Sequence, residues 1–498
     1  MKLVFNGHDY KYAVEQMLFT LFPGEHPEYS ETVSGSDALQ ISLRSGPVFT
    51  TSVCRYQKED AVYVGRAAVK SDKLTNEVVK DSLCQHIIKN AVYRAVMKSG
   101  RSRQPWGALT GVRPGKLMSA IMRENESGNA SERKHRSVRR FMEEYDVTPA
   151  RAELCYETSE ATLTTEKLLG SSDICLYVGI PFCPTRCDYC SFVSQSVEKS
   201  LKLMDSFFAS LMLEVKAAAK QVRQCGLNVI SIYFGGGTPT TLSAAQLDEL
   251  CSLLRREFNL SGLLEFTVEA GRPDTITEEK LTVLKKHGVT RLSVNPQTMS
   301  DSVLEAIGRR HTAKDITDAL DAVRKVGGFD VNMDLIAGLP TDTPEGFEQT
   351  MGKVLALAPE NITVHTLSLK KGSGLTLSGR ALPGAEEVGR MLDAAYSGLK
   401  GAGYVPYYLY RQKNMSGGFE NTGWMKPGHI NIYNICMMEE LCSILAMGGG
   451  GSTKLIRNDR GKNIRIMAPK YPLEYIEQID KTCSEKVKIG EFYGIQSE

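Results

Sequence analysis

Between Ile174 and Leu367 the chain alternates short apolar runs with amphipathic stretches, and no other feature restricts its fold as much. The apolar runs, Ile174 to Ile180, Val229 to Phe234, Leu264 to Val268, Thr290 to Val294, Val331 to Ile336 and Ile362 to Leu367, have strand length and are bounded by polar residues or glycine. Between them, Ser200 to Val222, Ala244 to Phe258, Glu278 to His287, Ala313 to Val326 and Thr343 to Leu355 repeat apolar residues at helical spacings of three and four. Strands that alternate with helices in this way pair in parallel through right-handed crossovers. The expected fold is α/β, a partial (β/α)6 TIM-like barrel, whose chemistry would sit at the C-terminal strand ends.

Cys183, Cys187 and Cys190 follow the first of these strands, in the run YVGIPFCPTRCDYCSF from Tyr177 to Phe192. Three thiolates in a C-x3-C-x2-C spacing suit a cuboidal iron–sulfur cluster, which leaves its fourth iron open to a non-protein ligand. Two other readings exist: a structural zinc site, which wants four ligands in paired knuckles, or a chance grouping of cysteines on a loop. Phe182 and Tyr189 interleave the cysteines and offer apolar cover to a cluster.

The remaining candidates also fall at strand ends. Gly235-Gly236-Gly237-Thr238-Pro239-Thr240 follows the second strand and would let backbone approach a ligand closely. Glu269 ends the third, placed like acids that bind ribose hydroxyls, although a barrel-mouth ion pair would use it equally well. Asn295-Pro296-Gln297 follows the fourth, and Arg309 comes twelve residues after Gln297, either to fork onto a carboxylate or as a plain helix-surface arginine. Asp334 lies on the fifth, within NMDLIAGLP.

In this order, GGGTPT, VEA, RLSVNPQ, GRRHT and DLIAGLP after the cysteines resemble the radical SAM superfamily, and in particular its coproporphyrinogen dehydrogenase group with HemN, HemW and HemZ branches. The resemblance covers about Ile174 to Gly372 and implies a 4Fe-4S cluster on Cys183, Cys187 and Cys190. It implies S-adenosylmethionine contacts from Tyr177, Tyr189, Gly236, Gly237, Thr238, Glu269, Gln297, Arg309 and Asp334, with Ser368 as a further candidate at the sixth strand. By the same resemblance the activity would be oxygen-independent decarboxylation of coproporphyrinogen III to protoporphyrinogen IX. The tetrapyrrole would be substrate and a flavodoxin or ferredoxin the electron donor. Two positions depart from the decarboxylase pattern: Phe192 replaces a fourth cysteine, and Gly179 stands where a histidine is expected. HemW-type haem chaperones also carry phenylalanine at the Phe192 position, which keeps a chaperone, or an enzyme modifying another tetrapyrrole, as the alternative.

The flanks imply three units: 1–165, an α+β accessory domain; 166–395, the core barrel; and 396–498, a C-terminal extension. The long N-terminal unit, with Tyr410 to Met415 and Tyr433-Asn434-Ile435, makes the chain most similar to the HemZ type. In the N-terminal unit Leu39 to Leu43 and Ala61 to Val64 read as strands, and WGALTGVRPGKL (Trp106 to Leu117) as an ordered turn presenting Arg113 and Lys116. An acidic, Thr-rich stretch around Glu157 to Thr165 precedes the barrel. The basic run Arg133-Lys134-His135-Arg136 with Arg139 and Arg140 reads as a solvated helix face.

With 60 basic and 58 acidic residues the chain has no global field to draw in nucleic acid. It shows neither an 18-residue apolar stretch nor a signal-peptide core in MKLVFNGHDYKY, so the expected location is cytoplasmic with no membrane span. Twelve cysteines are too sparse for a disulfide scaffold. Cys84, Cys225, Cys251, Cys436 and Cys442 read as buried small hydrophobes, and no compact second cysteine set is evident. Cys436 and Cys442, among Met437, Met438 and Met447, would otherwise form an axial-ligand neighbourhood for haem. The Gly448 to Gly451 run reads as a tight turn or a close backbone approach.

Overall fold

The structure is a computed structural model that describes residues 1–32, 37–190, 195–368, 375, 381–412, 416–457 and 462–494. Phe192 and residues 413–415 lie outside the described residues. The chain divides into two compact units, Met1–Tyr156 with Arg411, Gln412 and Gly417–Phe419, and the remainder from Glu157 onward.

In the first unit a five-stranded sheet runs in the order Glu28–Tyr29, Lys2–Asn6, Asp37–Ser45, Phe49–Lys58 and Ala61–Lys70. Its long hairpins pair antiparallel, and the two expected strands fall inside Asp37–Ser45 and Ala61–Lys70. Helices Lys11–Leu21 and Glu77–Met97 bury Val14, Leu18, Ile88 and Val92 against Leu3, Leu39 and Ile41 of the sheet. A Cβ on Gly65 would lie 2.0 Å from the Ala91 carbonyl oxygen, so the long helix rides on the sheet where no side chain intervenes. The Trp106 turn is ordered: Trp106 is buried, the Arg411 guanidinium lies 5.4 Å from its ring centroid, and Arg411 donates to the Leu109 carbonyl at 2.6 Å. The basic run lies on helix Ala130–Tyr145, where Arg139 and Arg140 pair with Glu143 and Glu144 one turn on.

The Thr-rich stretch is helical, part of Pro149–Glu166. Its threonines satisfy their hydroxyls on the preceding turn, Thr162 on Thr158 O at 3.2 Å and Thr164 on Glu160 O at 2.8 Å, so they do not break the helix.

The second unit holds the barrel. Six parallel strands, Asp173–Ile180, Asn228–Gly236, Glu265–Glu269, Arg291–Ser293, Asp330–Ala337 and Asn361–Thr366, pair in chain order. They nearly coincide with the expected runs. The crossover helices are Val197–Gln224, Ala244–Glu257, Glu278–Lys286, Ala313–Val326 and Pro344–Leu357, with a short helix Asp301–Ala306 not evident from periodicity. Ser243 and Thr312 open two of them with capping boxes, and Thr277 and Thr343 cap two more.

Residues from 396 on extend the same sheet at both edges. Val405–Tyr410 and Asn421–Met425 add antiparallel beyond the sixth strand, while Ser443–Gly448 adds parallel to the first and carries the hairpin Ser452–Leu455 and Ile464–Met467. Glycines make the last approach possible. Gly448, at φ +91°, turns the chain, and Gly179 faces it: a Cβ on Gly179 would lie 2.9 Å from the Gly449 carbonyl oxygen. Glu214, fully buried on helix Val197–Gln224, accepts from Gly448 N at 2.7 Å and pairs with Lys486 at 2.6 Å.

At the N-terminal strand ends a buried network is structural. Arg291 reaches Glu265 at 3.2 Å, Asp330 at 3.0 Å and Asn361 at 3.0 Å. Glu265 in turn accepts from Ile432 N and Tyr433 N, both at 2.8 Å, and so caps helix Ile432–Glu439. No helix among the described residues is long and apolar enough to cross a membrane.

Candidate functional site

The first strand leads into the cysteine loop, and the second-strand glycines pack beneath it. Gly237 N donates to Ile180 O at 2.8 Å and Thr238 N to Phe182 O at 2.7 Å. A Cβ on Gly237 would lie 2.4 Å from Phe182 O, so this glycine is required by backbone packing against the loop. Gly236, at φ +108°, makes the turn into it. Phe182–Cys183 pairs with Gln195–Ser196, and Phe182 is buried edge-on against Phe207, ring centroids 5.2 Å apart.

Cys183 and Cys187 each meet a group drawn from another strand end. Thr238 Oγ1 donates to Cys183 Sγ at 3.5 Å. Arg272, three residues past Glu269, donates to Cys187 Sγ at 3.5 Å and to Thr185 Oγ1 at 2.8 Å. Cys190 N donates to Cys187 O at 3.1 Å. Arg309, far from the surface, donates to the Tyr189 hydroxyl at 2.9 Å and to the Asn295 carbonyl at 2.9 Å.

The three motif thiols do not converge on a single ion. Among the described residues, the group of His, Cys, Asp or Glu whose ligand atoms all lie within 4.8 Å is Cys175, Cys436 and Cys442. A lone zinc holds its sulfurs closer than the motif does, whereas a cuboidal cluster spreads three thiolates over separate irons.

Beside the loop, buried polar atoms stand open. Among the described residues, Arg309 Nε and both ring nitrogens of His311 have no hydrogen-bond partner. Burial, then Arg309 and Arg272, push the His311 imidazole down to about 3, so it stays neutral. Buried groups of this kind are satisfied by something, and here the donors and acceptors suit a polar ligand lying over the cysteine loop. The residues present therefore fit a thiolate-held cluster with a polar molecule beside it.

Deeper in the barrel, Tyr177 and Tyr233 are register partners on neighbouring strands, and Tyr433 stacks on both, 4.4 Å from Tyr233 between centroids. The Tyr233 hydroxyl donates to Glu269 at 2.6 Å. Burial raises Glu269 to about 7, against the pull of that hydrogen bond and with the help of Asp334. Asp334 behaves in the opposite way. Burial works against its charge, but His365 at 3.8 Å, Asn332 at 2.8 Å and Thr363 outweigh it and hold the carboxyl below its usual range. The barrel thus presents one acid poised near neutrality and one that stays ionised.

Gln297 takes a left-handed conformation, φ 67°, with its N–H on the Asp334 carbonyl at 2.9 Å and its carbonyl accepting from Ile336 N at 3.0 Å. Its backbone is thus locked across the fourth and fifth strand ends. Ser368 follows the sixth strand, partly exposed. The sequence reading gave no site role to Arg272, His365 or Tyr233, and it held His311 and Tyr433 only as members of the GRRHT and Tyr433-Asn434-Ile435 runs. Of the first three, Tyr233 alone left a trace, one residue ahead of Phe234 and the glycine run and in phase with Tyr177 along a paired strand.

A family model described as Radical SAM superfamily matches residues 177–354. The oxygen-independent coproporphyrinogen-III oxidase-like protein HemZ of Bacillus subtilis is 39% identical over 390 residues, 77% of this chain and 77% of its own length. Heme chaperone HemW of the same organism is 33% identical over 255 residues, 50% of this chain and 66% of its own. Among solved structures, coproporphyrinogen III oxidase HemN from Escherichia coli, a radical SAM enzyme, superposes with a TM-score of 0.51 at 24% identity. It covers 65% of this chain and 73% of its own and shares the fold.

Proposed function

This chain belongs to the radical SAM superfamily and, within it, to the coproporphyrinogen oxidase-like group of the HemN, HemW and HemZ proteins, and we propose that it oxidatively decarboxylates propionates of coproporphyrinogen III to vinyl groups. The observation that carries the reading is the cysteine loop at the C-terminal end of the six-stranded barrel, with its thiols spread beyond the reach of one ion and open buried polar atoms of Arg309 and His311 beside it. The superfamily uses a 4Fe-4S cluster and S-adenosylmethionine, which together supply a 5'-deoxyadenosyl radical after one-electron reduction, here from a flavodoxin or ferredoxin.

Cys183, Cys187 and Cys190 would hold the cluster, with Thr238 donating to Cys183 Sγ and Arg272 to Cys187 Sγ. Arg309 and Asp334 would bind the charged ends of S-adenosylmethionine and Glu269 its ribose, with Tyr177, Tyr189, Gly236, Gly237, Gln297 and Ser368 lining the same space. The stacked rings of Tyr177, Tyr233 and Tyr433 would help screen the bound molecules from water. For each propionate the balance is loss of one hydrogen atom from the β-carbon, then release of CO2 and one electron to an acceptor. Two rounds give protoporphyrinogen IX. The free cysteines suit the reducing conditions of a cytoplasmic protein.

One observation favours a second reading. Gly179 is pressed against the Gly449 carbonyl, so the position expected to carry a histidine in a decarboxylase has no room for a side chain. This weakens a literal decarboxylase site, and the second reading is a haem chaperone of the HemW type, a group to which a relative 33% identical over 255 residues belongs.

Anaerobically reconstituted protein with S-adenosylmethionine, a low-potential reductant and coproporphyrinogen III tests both. Protoporphyrinogen with two CO2 per substrate, and 5'-deoxyadenosine, supports the decarboxylase. Haem retained at one per chain with no decarboxylation supports the chaperone. Alanine at Cys183, Cys187 or Cys190 should abolish the iron content and all 5'-deoxyadenosine formation.

A further inference from the structure

The fold assembles a second sulfur site that sequence spacing does not show. Cys175 lies on the first barrel strand, Cys436 on helix Ile432–Glu439, and Cys442 immediately before the strand Ser443–Gly448. Their three Sγ atoms lie within 4.8 Å of one another, and Cys175 and Cys442 are 3.6 Å apart. An ion with metal–sulfur bonds of about 2.3 Å holds its sulfurs roughly 3.8 to 4 Å apart, so little movement separates these thiols from a binding geometry.

The lining narrows the ligand. All three cysteines are buried, and the cluster around them is apolar: Ile230, Ile432 and Ile444, with Leu441 and Met437 at its margin. No histidine or carboxylate joins the three within ligand range among the described residues. A sulfur-only donor set rejects hard cations such as Mg2+ and Ca2+ and selects thiophilic ones. Tyr433 supplies an independent observation. It lies in the same cluster, one helical turn before Cys436, and its hydroxyl is buried without a hydrogen-bond partner among the described residues, which leaves a polar atom open at this cluster.

We infer that Cys175, Cys436 and Cys442 form a single-ion site for a thiophilic d10 cation, Zn2+ or Cu+, separate from the Cys183, Cys187 and Cys190 motif. Three donors from three elements make the site structural: the ion ties the first barrel strand to the start of Ser443–Gly448 and to the helix that carries Tyr433. All three thiols are buried, so the ion would be structural and take no part in radical chemistry. Zn2+ leaves one negative charge on a trithiolate and Cu+ leaves two.

The test uses the full-length chain with Cys183, Cys187 and Cys190 replaced by alanine, so that no cluster forms. Zn2+ and, separately under reducing conditions, Cu+ are titrated against a chromophoric chelator, and the bound ion is examined by X-ray absorption. One equivalent of either ion per chain, a shell of three sulfur neighbours and a raised melting temperature are expected. Cys436→Ser and Cys442→Ser in that background should each weaken binding at least tenfold. Should a serine variant fail to fold, the sulfur shell and stoichiometry of the parent decide alone. Failure of both ions to bind stoichiometrically, an absorption spectrum without sulfur neighbours, or binding untouched in folded serine variants would overturn the site and leave three packed thiols. The outcome is independent of the radical chemistry, because the cluster motif is absent throughout.

Discussion

A Cβ on Gly448 would lie 2.1 Å from the carbonyl oxygen of Gly179, so the strand Ser443–Gly448 meets the first barrel strand at a separation only paired glycines permit. Gly448→Ala adds this clash to a φ of +91° and should cost about 2 to 4 kcal/mol in urea unfolding. Gly179→Ala, with its Cβ 2.9 Å from Gly449 O, should cost less. Gly262, with nothing within 4 Å, is the control: its alanine variant should change stability by under about 0.5 kcal/mol.

Glu269 should make the ligand-free protein less stable as pH rises. Its carboxyl is raised by burial from 4.5 to about 7, so between those values the unfolded chain releases a proton that the folded chain keeps. The stability it contributes is complete below about pH 4.5 and is lost as the pH climbs through about 7, up to about 3 kcal/mol. Unfolding measured across this range should show the slope in the wild type and lose it in Glu269→Gln. An unchanged slope in the variant would remove Glu269 as its source.

If Cys187 holds the cluster as proposed, Arg272 should tune it. A guanidinium donating to a ligating sulfur favours the reduced, more negative cluster. Arg272→Gln should therefore shift the midpoint potential negative by tens of millivolts while iron content stays at the wild-type level. Redox titration followed by EPR measures it, and an unshifted potential would assign Arg272 to holding Thr185 alone.

Lys486 and Glu214 should fail separately and recover together. Their 2.6 Å contact is buried on both sides, so Lys486→Met leaves an unpaired carboxylate and should destabilise by about 3 to 5 kcal/mol. Glu214→Gln in the Lys486→Met background should restore part of that loss. Additive losses in the double variant would show the pair to be uncoupled.

The barrel was legible because its period is carried by the residues themselves: Val229 to Phe234 and Ala244 to Phe258 announce a strand and a helix without help from tertiary contacts. The cysteine motif was legible for the same reason, being local. What could not be read are groupings closed by long-range pairing. Arg272 meets Cys187 across 85 positions, and Cys175 meets Cys442 across 267. The expectation that no second compact cysteine set exists fails on that point alone, since spacing along the chain is silent about strands that become neighbours in a sheet. The glycine run shows the converse limit. Its presence was plain, but its packing against Phe182 depends on where the first strand ends.

The parallel pairing of Ser443–Gly448 with Asp173–Ile180 also orders events in time. A ribosome delivers the first barrel strand and all three motif cysteines long before it delivers the strand that covers that sheet edge. Until residue 448 has emerged, the nascent chain carries an open edge, the kind of surface that templates aggregation. A message truncated before that point would encode every residue of the cluster motif and still yield a chain prone to associate with its copies.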